Sequence, residues 1–69
     1  MENLLNRIEA NPAVLVGKPV VKGTRLSVQF IVGLLASGST HEEILDEYSY
    51  LSEEDIRACL SFTDWRQRN

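Results

Sequence analysis

Apolar and polar positions follow two different patterns along the chain, and the change falls near Ser27. Before it, Leu4 to Ile8, Ala13 to Val16 and Val20-Val21 are short apolar runs bounded by Asn11-Pro12, Gly17-Lys18-Pro19 and Lys22-Gly23-Thr24. Short runs punctuated by glycine and proline predict small strands joined by turns. After it, Val28, Ile31, Leu34 and Leu35 recur on one helical face. Ser27 suits the N-cap of that helix, and Ser37-Gly38 its stop, because glycine takes the left-handed conformation that satisfies the last carbonyls. Thr40-His41-Glu42-Glu43 is a capping box that opens a second helix with the stripe Ile44, Leu45 and Tyr48. Ser52-Glu53-Glu54-Asp55 repeats the device for a third helix, whose face is Ile56, Cys59, Leu60 and Thr63. The pattern predicts a single, mainly α domain: a short N-terminal β arm or hairpin (1–26) followed by three helices (27–69).

The third helix carries a second apolar row, Ala58, Phe62 and Trp65. Three helices of this size bury one stripe each, so the extra row is to be covered either by the β arm folding back or by another chain. Phe30, off the main stripe of the first helix, adds to the second possibility.

Charge sharpens this picture. The total is −3, but Arg7, Lys18, Lys22 and Arg25 oppose only Glu2 and Glu9 up to residue 25, whereas Leu26 to Ile56 holds seven carboxylates and no Lys or Arg. A basic arm therefore precedes an acidic body. With 69 residues, the chain is near the size at which one core has difficulty stabilising a monomer, so help from a partner is expected. No apolar run approaches the roughly 18 residues that cross a bilayer, and Met1 to Arg7 does not read as a secretory leader. A cytoplasmic protein without membrane contact is expected, and the single cysteine, Cys59, fits a reducing compartment.

Tests for chemistry come out negative. Lys18 is followed by Pro19, which removes an amide that a phosphate-binding loop would use, and no upstream glycine stands where that loop needs it. His41 has no identifiable nucleophile beside it and reads as a solvated helix residue. The carboxylates at helix starts match no cation loop and read as dipole partners. Neither catalytic residues, nor a metal, nor a cofactor is predicted. Helix, glycine turn, helix over 28–62 invites a helix-turn-helix reading, yet the candidate recognition helix begins Glu53-Glu54-Asp55, which repels phosphate. If DNA is bound, Lys18, Lys22 and Arg25 carry it; these cations pairing with acidic helices is the other possibility.

Taken together, Asn11-Pro12, Gly17-Lys18-Pro19-Val20-Val21-Lys22-Gly23-Thr24-Arg25, Gly38, Glu43-Ile44-Leu45, Tyr48 and Leu51-Ser52-Glu53-Glu54-Asp55-Ile56 resemble the small prokaryotic domain-of-unknown-function family four-three-three. The likeness covers nearly the whole chain. Ser49 stands where members usually carry proline. The resemblance implies a β arm before a homeodomain-like three-helix bundle, and an antitoxin-like role beside a toxin of the PIN-like ribonuclease class, whose active site is acidic and metal-dependent. It brings no catalytic residues. On that expectation the partner-binding residues are Lys18, Lys22, Arg25, Phe62 and Trp65, with Arg25 suited to hold a carboxylate by two bonds and the aromatics to anchor. The alternative is a DNA-binding regulator or autorepressor acting on promoter DNA through Lys18, Lys22 and Arg25. A homodimer or higher oligomer, with or without exchange of the arm, is also expected.

Overall fold

The structure, a computed structural model, describes residues 4–10 and 17–68, with side chains as far as Asp64. The turn expected at Asn11-Pro12, the run Ala13 to Val16 and the side chain of Trp65 lie outside the described residues. A 3-10 turn over Leu4–Arg7 leads into β1 (Ile8–Glu9), which pairs antiparallel with β2 (Val20–Val21) in the register Ile8 to Val21 and Glu9 to Val20. Three helices follow: α1 (Val28–Ala36), α2 (His41–Glu47) and α3 (Glu53–Arg68). The chain is thus mainly α with a short two-stranded pair ahead of three helices.

The predicted caps form. Ser27 Oγ accepts from the Phe30 amide at 3.0 Å. Gly38, at φ 101°, donates to Leu35 O and Ser39 to Leu34 O, the paired bonds of a Schellman stop. In α2, Thr40 Oγ1 accepts from the Glu43 amide at 3.1 Å while Glu43 Oε1 accepts from the Thr40 amide at 2.8 Å. The same reciprocity joins Ser52 and Asp55 at the start of α3.

One core holds these elements. Val21, Val28, Ile31, Ile44, Leu51, Ile56 and Cys59 form the buried cluster, with Ile8, Leu26, Leu35, Leu45, Tyr48 and Phe62 packed around it. The stripes read from the sequence are the ones that point inward, with two corrections. Leu60 is 41% exposed, and Ala58 from the second row of α3 is fully buried in its place. The 3-10 turn packs against α3, so the arm does fold back on this helix. The other correction is local: Leu4–Arg7 is a tight helical turn, not a strand, because a short apolar run has no periodicity to separate the two and docking on α3 decides. Among the described residues, no helix is long and apolar enough to cross a membrane.

Candidate protein-binding surface

The nine residues Gly17 to Arg25 build the turn that presents the cations. Val21 O accepts from the Thr24 amide at 3.0 Å, closing a four-residue turn whose third member, Gly23, has φ 80°. A positive φ at that position is the conformation a type II turn needs, and it favours glycine. Thr24 Oγ1 then donates to Val21 O (2.8 Å) and accepts from the Leu26 amide (3.1 Å), while the Val21 amide reaches Leu26 O (3.0 Å). The Val28 amide donates to Pro19 O at 3.0 Å, tying the turn to the first residue of α1. With the backbone locked from below, Lys22 and Arg25 are left exposed on the outside.

The four cations of the arm separate into two kinds. Arg7 Nη1 donates to Asp55 Oδ1 at 3.2 Å across 48 positions of sequence, so this member of the basic arm is held by the third helix. Lys18, Lys22 and Arg25 are exposed, and among the described residues none of them forms an ion pair. His41 also departs from expectation. It is not merely solvated: its Nδ1–H donates to Glu53 Oε2 at 2.5 Å, joining the starts of α2 and α3, and Arg57 Nε stands 3.8 Å from the same oxygen.

Beside the turn lies a groove of about 520 Å³. Lys18 and Pro19 form one side, Val28 and Val32 of α1 another, and Phe62 and Thr63 of α3 the third. The walls are mostly apolar, with a cation at the edge. Of the five residues singled out by sequence, Lys18 and Phe62 therefore meet in one place, Lys22 and Arg25 stand on the adjoining turn, and Trp65 continues the α3 backbone one turn beyond Phe62.

A family model described as a protein of unknown function (DUF433) matches residues 8–63, a span that includes the turn and all three groove-forming segments. The chain belongs to this family. The uncharacterized protein y4eO of Sinorhizobium fredii (strain NBRC 101917 / NGR234) is 32% identical over 57 residues, which are 83% of this chain and 26% of that protein. The crystal structure of a DUF433 member protein from Anabaena variabilis ATCC 29413 shares 27% identity, covers 91% of this chain and 62% of its own, and superposes with a TM-score of 0.85. This DUF433 chain thus spans about a quarter of the curated relative and under two thirds of the solved one.

A second surface of the DUF433 chain joins Phe30, which the sequence marks as off the main stripe, to two tyrosines that it does not. Phe30 of α1 meets Tyr48 edge-on, with ring centroids 5.9 Å apart, and Tyr48 meets Tyr50 in the same way at 6.4 Å. Tyr50 is 64% exposed. Tyr48-Ser49-Tyr50 between two helices carries the signal, but helical spacing places Tyr48 on the inward stripe of α2, where it is only half-buried.

Proposed function

We propose that this chain is a binding protein, not an enzyme: an antitoxin-like module that holds a PIN-like ribonuclease through its basic turn and the adjoining groove. The observation that carries this reading is that Lys18, Lys22 and Arg25 are exposed without ion pairs among the described residues, although the same chain is acidic overall. Cations left unpaired beside an apolar groove suit an acidic protein surface. The PIN-like class is the partner that the family resemblance implies, and carboxylates gathered around a metal are its chemistry. A guanidinium bonded to such carboxylates by two parallel N–H···O bonds competes with the metal for them. Arg25 takes that part, Lys18 steers and orients, and Phe62, with Trp65 further along α3, anchors the apolar side.

The test is co-expression with the product of the neighbouring reading frame, followed by affinity and nuclease assays on the purified pair. Arg25→Ala is expected to weaken binding by about thirtyfold or more, the loss that corresponds to the roughly 2 kcal/mol and upward for truncating one partner of a desolvated charge pair. Lys18→Ala is expected to slow association. Unaltered affinity and unaltered inhibition in both variants would refute the site. A complex with promoter DNA that dissolves steeply with salt, in the absence of any protein partner, would instead support the DNA-binding regulator.

A further inference from the structure

α1 is a surface helix without a surface composition. Its nine residues carry no charged side chain, with no acid in the first turn and no base in the last. A helix packed on one side of a fold ordinarily turns charges toward water. Here Val28 and Ile31 are buried, Val32, Leu34 and Leu35 are half-buried, and the outward arc is Gln29, Phe30, Gly33, Ala36 and the cap Ser37, all exposed. At about 100° per residue, Gly33 stands at the centre of that arc. Among the described residues, no atom of another part of the chain lies within 4 Å of where its Cβ would be, so none of them requires a glycine there. Glycine weakens a helix interior relative to alanine, and one use of it on an open helix face is to let another backbone approach closely. Phe30, one turn before it, is held in place by the edge of Tyr48.

The charges at the two ends of the helix identify what covers this face. Lys22 and Arg25 are exposed where the chain enters α1; Glu42 and Glu43 are exposed in the first turn of α2, just past its end. A helix flanked by positive charge at its start and by negative charge just past its end complements itself only in antiparallel order, because parallel order sets like charges together. We infer that a second copy of this chain packs its α1 antiparallel across this face, with the two-fold axis passing beside Gly33. The contact is isologous: each basic turn lies beside the other copy's acidic α2 start, and the positive end of each α1 dipole beside the negative end of the other. The inference rests on α1 and its flanks and not on the proposed nuclease partner. Arg25 serves both associations, which therefore compete.

Sedimentation equilibrium of the isolated chain tests it. The wild type is expected to be a dimer at micromolar concentration, and Gly33→Lys a monomer with unchanged helical circular dichroism, since a Cβ there meets no other part of the described chain. Arg25→Glu is expected to raise the dimer dissociation constant about tenfold or more, a loss typical of like charges brought together at an interface. Adding Glu42→Arg to that variant restores association. A monomeric wild type, or a dimer that survives Gly33→Lys, overturns the interface; failure of the double variant to recover overturns the antiparallel order.

Discussion

Cys59 shows how far burial alone can set the behaviour of a residue. It is fully buried in the core cluster, and desolvation, with a smaller contribution from the Asp55 charge, pushes its thiol from an ordinary 9.0 up to about 12. A thiol that holds its proton is a poor nucleophile and a poor metal ligand, so the lone cysteine is structural. Labelling with a thiol reagent is expected to fail on the native protein and to proceed at the rate of unfolding. The linkage has a definite sign. Above about pH 9 the unfolded chain releases this proton while the folded chain retains it, so the contribution is constant below that pH and is lost as the pH rises toward about 12. The slope is about 1.4 kcal/mol per pH unit at most. Urea titrations of wild type and Cys59→Ala across that window should converge in stability as the pH rises, and parallel curves would contradict the assignment.

Helix ends were the most legible elements, and the reason is range. A capping box is written within four residues, so Thr40 with Glu43 and Ser52 with Asp55 could be read directly and form as read. What the sequence concealed is that the two boxes are unequal. Asp55 caps the Ser52 amide and also receives Arg7 from 48 positions away, a partner that no local pattern announces. The same lack of range explains the strand expected over Leu4 to Ile8 and the burial expected of Leu60: each depended on which side of α3 the arm would choose. Thr40→Ala, at an exposed cap, should lower stability by about 1 kcal/mol, and Asp55→Ala, which loses a cap and a half-buried ion pair, by about 2 kcal/mol or more. A double-mutant cycle in urea separates the cases. Arg7→Ala is expected to couple to Asp55→Ala and to add independently to Thr40→Ala.

At the scale of the whole molecule, the asymmetry of charge visible in the sequence survives folding in altered form. Folding removes one arm cation, Arg7, into a contact with α3 and leaves Lys18, Lys22 and Arg25 outside. Identity and sign were legible; the division of labour was not, because it depends on the locked turn at Gly23 and on the docking of the 3-10 turn. Nor was the groove legible, since Lys18, Val32 and Phe62 come from three distant segments and only the tertiary arrangement brings them together. The division predicts a separation of stability from binding. Replacing Lys18, Lys22 and Arg25 together by Gln should change the stability of the single chain, read by urea titration at concentrations below dimer formation, by no more than about 0.5 kcal/mol, because exposed side chains without partners in the chain contribute little to its fold. Binding to an acidic partner should nevertheless fall, mainly through the association rate, and its dependence on salt should flatten. Arg7→Gln should do the reverse, lowering stability while leaving the salt dependence of binding intact. If instead the triple variant unfolded more readily and Arg7→Gln were silent, the exposed cations would be structural and the outward-facing basic turn would have no free charge to offer.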